Sequence, residues 1–188
     1  MTDLTLDADF VNILKSMVGK RLDHYSHDPF VFTPFVFDVV GFFIGDISYK
    51  LEVALRSERC FFHAEDVSVM RLFKAPPEEI VSKAQDGRLI DVPVKDVVVG
   101  IDVVNDHEIV VHENEKKELY STKGVIFHLL DGNEISFEVE PRFSEAITIQ
   151  RGYNLIQRFR PLEFFLEEWE PDKGYAPQCS REIVELRG

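Results

Sequence analysis

Cysteine is scarce in this 188-residue chain: Cys60 and Cys179 are the only two, and they form no CxxC pair. That scarcity excludes a disulfide framework and a zinc ribbon, and it fits a reducing, cytoplasmic setting. Basic charge is short as well, since 21 Lys and Arg stand against 34 Asp and Glu and leave a net charge of −13. A surface of that sign repels phosphate, which makes nucleic acid and anionic lipid headgroups poor partners. Long hydrophobic runs are missing too. The longest, Phe30 to Ile44, is broken by Thr33, Pro34 and Asp38 and is too short to cross a bilayer as a helix. No cationic stretch followed by an apolar one opens the chain, so no secretory leader is expected. The sequence also has no GxxxxGK[ST], GxGxxG, GxSxG or HExxH. Nucleotide-dependent and standard hydrolase chemistry therefore lose their usual carriers, and no cofactor is expected.

What is present is β-forming. Ile47, Tyr49, Leu51, Val53 and Leu55 alternate with polar residues, the period of an antiparallel strand wetted on one face. Ile135, Phe137 and Val139 alternate with Ser136, Glu138 and Glu140 in the same way, which places the two glutamates outside. From Leu89 onward the pattern predicts six strands: 89–94, 97–104, 108–113, 119–130, 135–140 and 146–151. Turns are expected at 105–106, 114–117, 131–133 and 141–144. Before them, Phe30–Ile44 reads as two buried strands broken near Pro34, and 60–63 and 67–73 as short strands, with one or two helical turns over 65–72 as the open alternative. Helices are predicted at 5–17, at 77–86 behind Pro76-Pro77, and at 161–169, where Leu162, Phe165, Leu166 and Trp169 share a stripe. Residues 173–180 read as loop, with 182–186 docking as an edge strand.

The fold class that follows is α+β: a predominantly antiparallel, curved sheet or partly open barrel with three peripheral helices. The chain reads as a single domain over 1–188. The alternative is two related β subdomains, 1–76 and 97–188, because a shift of 86 lays Leu51-Glu52-Val53 over Phe137-Glu138-Val139 and Phe73 over Phe159.

Side chains with chemistry are scattered. His24 and His27 form the only histidine cluster and are the metal candidates, but Pro29 argues against the helix that would align them. His107 and His112, five apart along a strand, face opposite ways, as do Cys60 and His63, three apart. Asp131-Gly132-Asn133-Glu134 lacks the later ligands of a calcium loop and reads as a hairpin turn. Sixteen Phe residues, six of them between Phe30 and Phe43, either fill a core or line an apolar pocket.

The functional expectation is a non-catalytic binding or regulatory protein, of an acidic inhibitor or immunity type, that covers a basic partner. Its contact elements would be edge strands and the acidic helix with Glu163, Glu167, Glu168 and Glu170, anchored by Trp169 if exposed. The alternative is a small-ligand-binding protein or a metal-dependent enzyme using the Phe-rich region with His24 and His27.

Overall fold

The computed structural model describes residues 1–29, 35–37, 39–82, 87–140, 144–169 and 173–188. In chain order these form β1 Thr2–Leu4, α1 Ala8–Met17, β2 Arg21–His27, β3 Phe35–Phe37, β4 Val39–Ile44, β5 Ile47–Glu58 and β6 Glu65–Lys74. A 3₁₀ turn at Pro77–Glu79 leads to β7 Ile90–His112, β8 Glu115–Leu129, β9 Glu134–Val139 and β10 Ala146–Gly152. A second 3₁₀ turn, Leu155–Arg158, then precedes α2 Glu163–Glu167 and β11 Ala176–Arg187. The protein is mostly β, with two short α-helices among the described residues, rather than α+β with three.

The strand order is β3-β10-β9-β8-β7-β2-β4-β5-β6, with β1 parallel to β8 and β11 antiparallel to β7. The path begins at β3 and ends at β6, so the sheet is open. Its spine is β7, 23 residues long. The N-terminal part, from Ile90 to Val97, pairs with β2, while the remainder pairs with β8 and β11. Within the β2-paired part lies a register shift opposite Leu22 and His24, where Lys95 adopts φ 58°. A bulge of this kind bends and twists a strand, which lets β7 pass from one curved sheet to the other.

The main core fills the space between these sheets. Phe42 of β4 meets Phe127 of β8 and Phe137 of β9, and Tyr25 of β2 meets Phe137 edge-on at 5.5 Å. Aromatic edge-to-face packing of this sort adds to the area buried. Of the Phe-rich stretch, Phe42 is core and Phe43 packs beside Val39 and Ile80, whereas Phe35 is 41% exposed; Phe30 and Phe32 lie outside the described residues.

Local differences from the sequence expectation have identifiable causes. Helix α1 starts where Asp7 caps it, its Oδ1 accepting from the Phe10 amide at 3.0 Å. No helix runs from 77: after one 3₁₀ turn Ile80 leaves helical geometry and buries itself against Val39 and Ala75. A three-residue start cannot repay helix nucleation, so burial of that side chain decides. Residues 83–86 lie outside the described residues. The three strands expected between 89 and 113 are one, because Asn105 and Asp106 stay in the ladder with a register shift beside them. The hairpin after β7 turns at Glu113 and Asn114, both at positive φ, instead of at 114–117. Residues 60–63 form no strand; Cys60 and Phe61 sink into a second apolar cluster. Residues 176–180, expected as loop, extend β11. Among the described residues no helix is long and apolar enough to cross a membrane.

Candidate functional site

Along β7, Ile101 and Val103 join the main core, so Asp102, Val104, Asp106 and Glu108 point to the opposite face of the sheet. That face is not bare. Residues 153–169 fold across it and pin it with two apolar contacts: Leu155 and Phe159 against Val104 and Ile126, and Phe165 and Trp169 against Val110 and Leu119. Between the two contacts lies a cleft with about 50 Å³ of internal space.

Charge fills the cleft in an ordered way. Arg181 of β11 grips Asp106 with both arms, Nε to Oδ1 at 2.7 Å and Nη2 to Oδ2 at 2.9 Å. The same Nη2 donates to the Arg160 carbonyl at 3.1 Å. Lys123 pairs with Glu108 at 2.7 Å, and Arg160 pairs with Glu140 at 2.7 Å. Glu138 is different. Only 6% exposed, it accepts the Arg160 backbone N–H on Oε1 at 2.7 Å, while Oε2 makes no hydrogen bond or ion pair with the described residues.

Burial, with Glu140 adding repulsion, pushes the Glu138 carboxyl up from 4.5 to about 7 against the pull of the Arg160 amide. The folded state therefore holds a proton that the unfolded chain has already released. Stability from this group is complete below pH 4.5 and falls as pH rises through 7, by roughly 3 kcal/mol once ionisation is complete. Glu138→Gln should remove that slope, so its stability advantage over the parent should widen between pH 5 and pH 8 in urea titrations. A difference that stays constant across this range would contradict the assignment.

Asp106, Glu108 and Cys179 bring ligand atoms within 4.8 Å of one another, the spacing a metal ion requires. Their chemistry does not fit one. Both Asp106 oxygens are held by Arg181, Glu108 is paired with Lys123, and burial beside these carboxylates pushes the Cys179 thiol up to about 12. A thiol that stays protonated at neutral pH is not a nucleophile, and a metal would have to displace its proton and break both ion pairs to bind here.

A second polar cluster lies further along the same face. His128 Nε2 sits 2.8 Å from Asp102 Oδ2, and this hydrogen bond raises the imidazole above its ordinary value. Arg187 closes on the other Asp102 oxygen at 2.9 Å.

The structure does not bring the sequence candidates for a metal together. His24 stacks on Phe43 with ring centroids 4.2 Å apart, whereas buried His27 stacks on Tyr25 and is held below its ordinary value by burial. Elsewhere, His107 stacks on Tyr120 and pairs with Glu118, and His112 stacks on Tyr175. His63 lies 2.7 Å from Glu65, while Cys60 is core. Asn133 closes its turn back onto Asp131.

Among the partner-binding candidates, Glu163, Glu167 and Glu168 are exposed on α2 and at its end, and Glu170 lies outside the described residues. Trp169 is 9% exposed and packs edge-on to Phe61, so it is not an exposed anchor. The exposed aromatic is its neighbour Phe164, at 52%. Adjacent aromatics in one helical turn cannot share a face, and the Phe164-Phe165 pair in the sequence was the available signal for it. Compared with protein-family models, curated proteins and solved structures, the chain matches none of them.

Proposed function

We propose that this protein is a non-catalytic binding protein that covers a basic surface on a partner protein, using the face formed by α2 and the mouth of the cleft. The observation that carries this reading is Phe164, half exposed and flanked by the exposed carboxylates of Glu163, Glu167 and Glu168. A rigid aromatic beside a cluster of exposed carboxylates has the composition of an interface centre, with the apolar ring supplying desolvation and the acids supplying steering. Arg160 lies over the Phe164 ring at 5.5 Å and fixes its position before binding. A net charge of −13 extends the attraction beyond contact range. Free Cys60 and Cys179 support a reducing compartment as the place of action.

Capture of the partner from the source cell, followed by binding kinetics at two salt concentrations, tests the reading. Association should slow severalfold between about 0.05 and 0.5 M salt, as screening shortens the reach of these acids. Phe164→Ala should weaken binding about tenfold or more, mainly through faster dissociation. An on-rate indifferent to salt, together with unchanged affinity in Phe164→Ala, would overturn it.

A further inference from the structure

Every cation of the cleft already has its own carboxylate: Arg181 has Asp106, Lys123 has Glu108 and Arg160 has Glu140. Glu138 has none. It is only 6% exposed, it lines the cleft, and its Oε2 makes no hydrogen bond or ion pair among the described residues. Ser121 of β8, opposite Asp106 in the ladder, lines the same cleft with a buried Oγ that has no hydrogen-bond partner among the described residues. One charge and one acceptor are thus left over in a space of about 50 Å³, enough for a few water-sized groups.

We propose that this cleft is a socket for the ammonium end of a lysine side chain presented by the partner. The proposal rests on the binding face described above and names what that face receives.

Three properties of the cleft select this group. A carboxylate taken out of water is stabilised by an added cation far more than an exposed one is, because the low local dielectric strengthens the pair. A guanidinium binds best as a fork across both oxygens of one carboxylate, and Glu138 Oε1 is already taken by the Arg160 amide. An ammonium is a point charge whose three donors can be divided between separate acceptors, such as Glu138 Oε2 and Ser121 Oγ on the two strands that line the cleft. Leu162, Phe164 and Phe165 supply the apolar wall along which a lysine stem packs while its head reaches the charge. Of the other charged groups lining the cleft, Asp106 pairs with Arg181, Glu108 with Lys123 and Glu140 with Arg160, while Glu168 lines it from the end of α2; Arg160 and Arg181 act on Glu138 only through space, so an added cation finds its direct contact at Glu138.

The probe is butylammonium chloride, with butylguanidinium and tetramethylammonium chlorides at matched ionic strength as comparisons. The reporter is the Glu138 side-chain carboxyl carbon, followed by NMR through a pH titration. Butylammonium near 0.1 M should lower the Glu138 midpoint by about one unit, which corresponds to roughly tenfold preference for the ionised socket. The two comparison salts should move it by less than about a third of that. Glu138→Gln should abolish the butylammonium-induced amide shifts in β9 and residues 160–165, and Glu79→Gln, on a distant exposed turn, should leave them. A midpoint unmoved by butylammonium, or moved equally by tetramethylammonium, would overturn the socket, and the parent titration decides this even if Glu138→Gln folds poorly. Neither arm uses the partner, so failure here removes the socket alone, whereas salt-independent partner binding removes the reading of the face.

Discussion

Arg181→Met should cost about 3–5 kcal/mol of stability, because it leaves a buried carboxylate without its cation. Asp106 is only 5% exposed, and both of its oxygens are bonded to this one guanidinium. The loss does not end there. Arg181 also satisfies the Arg160 carbonyl and lies 5.6 Å over the Phe159 ring, so it ties residues 159–160 to the sheet. Urea unfolding of the single variant and of Asp106→Leu with Arg181→Met separates the two contributions. The double variant should recover most of the loss, since removing both charges abolishes the desolvation cost along with the pair. A single-variant loss under about 1 kcal/mol would mean that water screens the pair as it would at a surface.

Phe137→Ala should cost a similar amount, about 3–5 kcal/mol, through the cavity it leaves. The ring is fully buried and meets Tyr25, Phe42 and Phe127 edge-on or nearly so, with centroids 5.5, 4.9 and 5.7 Å away. These partners come from β2, β4 and β8, so the side chain joins both sheets, and rigid strands on either side limit collapse into the void. Phe137→Leu should lose much less, because it retains most of the volume. Thermal or urea denaturation measures both. Equal losses in the two variants would show that the aromatic contacts, and not the filled volume, set the cost.

The alternating strands were legible in the sequence because period 2 is a local property. β9 and β10 lie within a residue or so of their expected positions. β7 was not legible as one strand, since Asn105-Asp106 carries turn chemistry and is kept extended by its ladders with β8 and β11 and by the pairing of Asp106 with Arg181, 75 residues away. The cleft has no local signature for a related reason. Alternation places Glu138 and Glu140 on the outward face, as found, but an outward face need not be a wet one. Whether residues 153–169 cover that face depends on Leu155, Phe159, Phe165 and Trp169 finding apolar partners on it, a tertiary fact with no periodic signature. Trp169 was one of those covering residues, and its place on a mixed stripe concealed that Phe164 faces out.

The shared spine also governs how the chain finds its fold. β8 alone can zip onto β7 through a tight hairpin. β2 and β11 must reach the same strand across long stretches of chain, as the Ser26–Asp91 and Asp106–Arg181 bonds, 65 and 75 residues apart, record. Closing such loops costs entropy before the contacts repay it, which places the molecule among the slower folders, on the millisecond-to-second scale typical of β proteins. The β7–β8 hairpin is then the natural template, and until β2 and β11 arrive it carries open edges and the unpaired carboxylate of Asp106. That early hairpin is the stage of folding most exposed to pairing with another chain, and its buried-to-be acids are the groups that hold such encounters apart.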